Sequence, residues 1–506
     1  MRIQPHEIEV PENDPFNNDL LGRRETVQVL TSIVSSIEGP CVLSVDAAWG
    51  AGKTTFLKMW AQHLRNEGFP VVEFNAWETD FSEEPFIALS TELTEGLNQE
   101  CKKCADASLK ESLQKKVDEV KGKAKEVARS LIPGIIKAAA AGVPLVGGVV
   151  GESLVALVEE KLNAYEEARK SVKTFRSSLQ NTASTLAESK EGRPLVVMID
   201  ELDRSRPSYA VELLEVAKHI FAVDHVVFVL GVNRSELAHS VNALYGDGFD
   251  ATGYLGRFFD LDFRLPKPGR DSFIGALMKE TGINDCLERL RDRYKPEDAS
   301  KEEEDVLNLL QAFFVTPDLS LRQVGQSIHR LGLVFASLRE EQPLFARMTI
   351  VMFILRVLDL ELYQRFIDGE ASDLEVADAV FNLPGIKDLR RTDVGDQFEA
   401  TLIVAIHDKA SPEIRSQIGN SEILRELHNR RSPSRHDEMR QLAYDILQEN
   451  ERLYGTKMVG FKESVRRIEL LSTILTEEVQ SFLKYKATLN QAFGLVEAQA
   501  SPKDTP

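Results

Sequence analysis

The chain has 506 residues, 61 Lys plus Arg against 80 Asp plus Glu, and a formal net charge of -19. Its length suffices for two or three domains, and 43% hydrophobic residues together with 30 glycines match an ordinary soluble globular protein, not a disordered, fibrous or multi-span membrane chain. So acidic a balance argues against a general coat of nucleic acid, because binding phosphate needs a basic surface. Four cysteines cannot build a disulfide framework, and MRIQPHEIEVPENDPF holds no apolar stretch that could serve as a signal peptide. A reducing cytoplasm is expected.

Apolar residues at helical spacing predict a helix over Val27 to Ile37, and CVLSV (41 to 45) reads as a short buried strand. AAWGAGKTT follows, then FLKMWAQHL with helical period. A strand over Val71 to Phe74 leads into NAWETD, and a helix from Glu84 to Asn98 closes the block. Much later LVVMID (195 to 200) is an apolar strand ending in an acid. A helix from about Ser208 to Phe221, the strand HVVFVLGV (225 to 232), another helix and DLDFRLP come after it. Strands alternating with helices predict a parallel α/β sheet covered on both faces.

Residues 100 to 190 break this rhythm. Lys102 to Arg129 carries nine basic and five acidic residues at helical spacing, a local net charge of +4. Ser130 to Gly151 follows, 22 residues whose only charge is Lys137, interrupted by two prolines and five glycines and therefore too broken for a confident membrane span. A second charged helix runs to about Asn181. From Asp271 onward the pattern is helical, with KPEDASKEEEDV (295 to 306) expected as a loop and EAQASPKDTP as a disordered tail.

AAWGAGKT (Ala47 to Thr54) fits the phosphate-binding loop GxxxxGK[ST] at every specified position but the first, where alanine replaces glycine. The spacing has a mechanism. A turn between strand and helix aims the backbone N–H groups of Ala48, Trp49, Gly50, Ala51, Gly52, Lys53, Thr54 and Thr55 at phosphates, Lys53 reaches the outer phosphates, and the Thr54 hydroxyl ligates Mg²⁺. An alanine forced to positive φ at position 47 would cost about 1 kcal/mol or more. The partner of such a loop is an acid ending a later apolar strand. MIDELDR (198 to 204) offers Asp200 for the Mg²⁺ shell and Glu201 to polarise the attacking water, so the two motifs together point to nucleotide hydrolysis. The rival for Asp200 and Glu201 is a helix-capping acid pair. Lys53 and Asp200 stand 147 positions apart, and the insertion accounts for the excess.

The set WGAGKTT, FNAWETD, IDELDRSRP, VVFVLGVN and YLGRFFDLDFRLP, in this order over roughly residues 15 to 335, resembles the KAP family of P-loop NTPases. The resemblance implies an α/β fold: a P-loop NTPase core with a parallel sheet of the additional-strand class, a helical insertion and an α-helical C-terminal domain. The chain then divides into 1–99 and 191–270 as the two parts of the core, 100–190 as the insertion with its apolar segment 130–151, 271–340 as a helical lid, 341–495 as the C-terminal domain and 496–506 as the tail. It implies Mg²⁺-dependent ATP hydrolysis coupled to conformational change or assembly, in bacterial antiviral defence such as phage exclusion, with a homo-oligomer or partner defence proteins. Asn233 would sense the γ-phosphate, or else cap a helix with Glu236. Arg257 would act as a finger in a neighbouring subunit's site, or else pair with Asp260 on the surface. Arg322 resembles a second sensor arginine in the lid, the rival being an ordinary first-turn arginine, and Gly22 and Arg23 resemble a segment lying against the base. NAWETD is a family mark without a derivable chemistry, and Asp203 and Arg204 belong to the same charged network.

Other features read as inert. Cys101 and Cys104 form a lone CxxC, expected as free thiols, and Arg430, Arg431, Arg435 and Arg440 are expected in a solvated loop. The insertion reads as a helical hairpin or oligomer contact, with the rival that 102–151 touches the inner face of the cell membrane. Two other functions stay open: a nucleotide-switched signalling scaffold with little turnover, and a nucleic-acid-dependent motor, which the charge and the lack of aromatic and basic interleaving disfavour.

Overall fold

Five strands, β1 (Cys41–Asp46), β2 (Val71–Asn75), β3 (Leu195–Asp200), β4 (Val226–Val232) and β5 (Leu261–Arg264), form one sheet in the computed structural model. Their order is β2-β3-β4-β1-β5 and every pairing is parallel. β4 therefore separates β1 from β3. The structure describes residues 9–37, 39–82, 84–140, 152–267, 269–294, 299–314, 319–336, 346–383, 386–409, 421–429, 433–454 and 468. It divides into a unit of Glu7–Pro268 and a unit made, besides the first six residues, of Gly269–Pro506.

Successive side chains of a strand point to opposite faces, and the sheet buries both. Val196 and Met198 of β3 lie in one apolar cluster with α1 (Arg24–Ser35) and α2 (Lys53–Asn66), while Leu195, Val197 and Ile199 lie in another. This explains why these strands are apolar throughout instead of alternating. On the first face Trp60 is fully buried and its indole N–H donates to Thr31 Oγ1 at 3.0 Å, joining α2 to α1. Edge strand β5 is largely exposed and carries Asp262 and Arg264, charges that discourage further strand addition.

The second face is covered by helices that follow α3 (Ala76–Thr79): α4 (Pro85–Lys103), α5 (Ala107–Ala140), α6 (Glu152–Ser189), α7 (Pro207–Val216), α8 (Arg234–Tyr245) and α9 (Ala251–Leu255). The predicted insertion packs α5 on α6. Leu113, Val117, Val120, Ala124 and Val127, spaced by three or four residues, meet Phe175, Leu179, Ala183 and Leu186 in the same cluster as β3 and β4. The base of the hairpin is thus continuous with the core. Residues 141–151 of the apolar segment and the tail 496–506 lie outside the described residues.

The second unit is helical: α10 (Asp271–Glu280), α11 (Ile283–Tyr294), α12 (Ala299–Phe314), α13 (Leu321–Ala336), α14 (Ala346–Leu358), α15 (Leu360–Asp368), α16 (Asp373–Phe381), α17 (Asp393–Lys409), α18 (Glu422–Asn429) and α19 (Pro433–Tyr454). Its core includes Phe313, Phe381 and Phe398, with the Phe313 and Phe398 rings 4.7 Å apart. Two expectations are corrected here. The acidic run expected as a loop over 295–306 is helical from Ala299; Val306, Leu309, Leu310 and Phe313 bury one side of that helix, and Glu304 is exposed. Arg435 and Arg440 lie on α19, not in a loop, and Arg435 bonds Asp396 at 2.9 Å. Arg430 and Arg431 lie outside the described residues.

Candidate functional site

Between β1 and α2 the chain turns through Ala47 to Gly52. Gly50 (φ 74°) and Gly52 (φ 82°) are left-handed, a conformation that costs other residues about 1–2 kcal/mol. Ala47 is not among the described residues with positive φ, so alanine at the first motif position carries no backbone penalty. It is buried, and its N–H donates to Val232 O of β4 at 3.0 Å. No side chain caps α2. Its first-turn N–H groups, around half-buried Thr54 and Thr55, are left for an anion.

Asp200 ends β3, in register with Asn75 at the end of β2. Its Oδ1 accepts the Glu201 N–H at 2.8 Å. Between Asp200 and α2 passes Gly231 of β4, where a Cβ would lie 2.4 Å from Leu57 Cδ1 and 2.9 Å from Asp200 Oδ1. Gly231→Ala should therefore cost about 1–3 kcal/mol by overpacking and displace the Asp200 carboxylate. A melting temperature equal to wild type would refute this.

Glu201 has φ 59°, left-handed without being glycine, a strain of about 1–2 kcal/mol of the kind that collects at functional sites. Its carboxylate is held from two sides. Arg204 pairs with Oε1 at 2.6 Å and Asn75 Nδ2 donates to Oε2 at 3.4 Å. The Arg204 guanidinium also lies 5.7 Å from the centre of the exposed Trp77 ring. Lys53, 8% exposed, donates through Nζ to Asp203 Oδ1 at 3.1 Å, and the other Asp203 oxygen accepts the Trp49 indole N–H.

NAWETD, a sequence mark without a derivable chemistry, has a structural role. The Asn75 side-chain oxygen accepts from Trp77 N at 3.0 Å and Glu78 N at 3.2 Å, capping α3 while its amide reaches Glu201. Thr79 bonds Tyr209 at 3.0 Å, and Asp80 accepts from Arg206 N at 2.8 Å. The segment fastens β2 to the turn after β3. An asparagine just before a helical stretch was the available signal.

The remaining expected residues are spread out. Asn233 is buried and caps α8, its Oδ1 accepting from Glu236 N at 3.5 Å. Arg257 is exposed after α9. The alternative pairing with Asp260 is corrected, because Asp260 accepts from Lys218 at 2.6 Å and from Val42 N at 2.9 Å. Gly22 is exposed with φ 65°, whereas Arg23 is buried, gives Nη1 to Pro266 O at 2.7 Å, and leaves Nε and Nη2 without an acceptor among the described residues. Burial lowers its pKa from the ordinary arginine value. Arg322 lies in the second unit, exposed in the first turn of α13. All four cysteines are free, Cys104 ends α4, and burial pushes the Cys41 thiol up to about 11 and that of Cys101 upward, which keeps both protonated.

Of the three tryptophans, Trp60 is fully buried, whereas Trp49 is 46% exposed inside the loop. Saturating nucleotide should quench the intrinsic fluorescence of the wild type, and Trp49→Phe should remove most of the change. An unaltered spectrum with nucleotide would contradict the placement of the site.

A parallel sheet in which one strand separates the loop-bearing strand from the acid-bearing strand defines a P-loop NTPase of the additional-strand class. The chain belongs to the KAP family, whose P-loop domain matches residues 24–337. No curated protein matches it. Among solved structures it is similar to the ORC2 protein of Aeropyrum pernix in ADPNP–ADP complexes, at 12% identity, 93% coverage of this chain and 87% of that one, with a TM-score of 0.27. It is also similar to AMPPCP-bound DnaA from Aquifex aeolicus, at 11% identity, covering 69% of this chain and 88% of that one, with a TM-score of 0.20. Among the described residues, no helix is long and apolar enough to cross a membrane.

Proposed function

We propose that this protein hydrolyses ATP with Mg²⁺ and couples turnover to a conformational or assembly change. The observation that carries the proposal is the juxtaposition, across β4, of an uncapped helix preceded by a left-handed glycine loop and a strand ending in Asp200 and Glu201. The first supplies N–H groups and Lys53 to phosphates, and the second supplies carboxylates beside them.

The oxygen donors available suit Mg²⁺, which takes one or two carboxylates, substrate phosphates and waters instead of a protein cage. Thr54 and Asp200 would hold it, and it would neutralise charge developing on the phosphates. No group of three or more His, Cys, Asp and Glu able to hold a metal occurs among the described residues. Glu201, once released from Arg204 and Asn75, would accept a proton from the attacking water. Arg257, exposed, would complete the site of a second copy in a homo-oligomer. Asn233 would sense the γ-phosphate, Arg322 would serve as a second sensor arginine, and Gly22 with Arg23 would border the base. ATP is preferred to GTP on the family resemblance, supported by the lack of a guanine-reading NKxD sequence. A role in antiviral defence, alone or with partner defence proteins in a bacterial cytoplasm, rests on the same resemblance.

The test is phosphate release by the full chain. Turnover should need Mg²⁺ and disappear in Lys53→Ala, and a wild-type rate equal to that of Lys53→Ala would end the enzymatic reading. The ion pair that occupies Glu201 favours one second reading, a nucleotide-switched scaffold with slow turnover. That reading predicts saturable ATP binding with phosphate release at background.

A further inference from the structure

We propose that Asp203 is the counter-ion of Lys53, and that the phosphates of an incoming nucleoside triphosphate must compete with it for that ammonium. The inference rests on nucleotide binding at the loop and goes beyond it, because it gives a residue outside the loop and outside the Asp200–Glu201 pair control over phosphate affinity.

An ammonium that is 8% exposed needs an opposite charge or hydrogen-bond acceptors, and Asp203 Oδ1 stands 3.1 Å from it on a side chain only 1% exposed. The other acids of the motif are engaged elsewhere, Glu201 by Arg204 and Asn75, and Asp200 Oδ1 by the Glu201 N–H. Asp203 sits in a short 3₁₀ turn, Leu202–Arg204, fixed by Arg204 N to Glu201 O at 3.1 Å and Ser205 N to Leu202 O at 3.3 Å. Because that turn follows directly on β3, Asp203 stays near the loop when phosphate arrives. One cation would then be shared by two anions, and the fixed carboxylate opposes the phosphate. Its second oxygen accepts the Trp49 indole N–H, so the same side chain also braces the loop. Asp203 is therefore a positioning residue acting through Lys53 and Trp49, and its charge sets how strongly the loop must pull to take up a nucleotide.

The test is calorimetric titration of the full chain with ATP in excess EDTA, where Mg²⁺ is absent and any effect through the metal's shell is removed. Asp203→Asn should bind ATP and ADP about tenfold more tightly than wild type, since each 1.4 kcal/mol of relieved repulsion is a factor of ten. Adenosine binding should be unchanged, because it carries no phosphate for Lys53. Asp203→Glu keeps the charge and should show no gain. The free Asp203→Asn protein should melt below wild type, its Lys53 being buried without a counter-ion, and ATP should raise its Tm by more than it raises that of wild type. Weaker or unchanged ATP binding in Asp203→Asn would overturn the proposal, as would an equal gain with adenosine. If Asp203→Asn does not fold, Asp203→Ser makes the same comparison. A wild type that binds no ATP even with Mg²⁺ would instead refute nucleotide binding itself.

Discussion

Glu201→Gln should reduce Mg²⁺-dependent ATP hydrolysis by about 10²- to 10⁴-fold, the usual contribution of a positioned general base, while ATP binding stays close to wild type. Glutamine keeps the size of the side chain, and its single amide oxygen can still accept from Arg204 or from Asn75, but its amide cannot take a proton from water. The separation of effects follows from geometry. Lys53 and the first turn of α2 would face the phosphates, whereas Glu201 lies beyond Asp200 on the turn after β3. Because Arg204 pairs with Glu201 at 2.6 Å, the substitution also removes an ion pair. That pair is 28% and 14% exposed, so stability should change modestly compared with turnover. Single-turnover phosphate release and equilibrium ATP binding, measured on both proteins, separate the two quantities. Equal rates would remove Glu201 from the chemistry, and lost binding would make it a structural residue.

What could be read from the sequence was whatever repeats locally. The apolar runs at β1, β3 and β4, the glycines at 50 and 52 and the acid ending LVVMID each follow from short-range rules, and together they indicate a parallel sheet with a phosphate loop. What escaped depends on register between strands distant in sequence. Asn75 matters because β2 pairs β3 so that it stands opposite Asp200. Gly231 matters because β4 runs between α2 and Asp200, leaving no room for a Cβ. Asp203 could be placed in a charged network, yet its pairing with Lys53, 150 residues earlier, appears only once β3 and the loop are set in space. The backbone conformation of Ala47 is hidden in the sequence for the same reason, since the motif fixes a residue type but not its φ. In the acidic stretch before Val306 the charges suggested a loop, whereas burial of the apolar side from Val306 to Phe313 decides for a helix.

The second large effect lies in the helical unit. Arg390, in the turn before α17, donates through Nε to Glu399 Oε1 at 2.8 Å and through Nη1 to Asp378, and Glu399 is only 2% exposed. Removing one partner of such a pair leaves an uncompensated buried charge, and Arg390→Ala should cost about 3 kcal/mol at neutral pH. That is the lower end of the usual range, because Arg390 is one-third exposed and Arg435 remains 3.7 Å from the same carboxylate. The loss should depend on pH in a definite direction. Burial raises the Glu399 pKa, and Arg390 is the leading influence pulling it back down; without Arg390 the folded-state value rises further. A carboxyl whose folded pKa exceeds its unfolded one lends stability that is fully present below the unfolded value, about 4.3 for Glu, and is lost as pH rises through the folded value. The deficit of the variant should therefore be small near pH 4 and grow as pH rises from there towards neutrality. Urea unfolding of both full-length proteins across that range checks it. A deficit that does not vary with pH would assign the loss to packing, since the same guanidinium lies 5.6 Å from the centre of the Phe381 ring, and not to the charge left on Glu399.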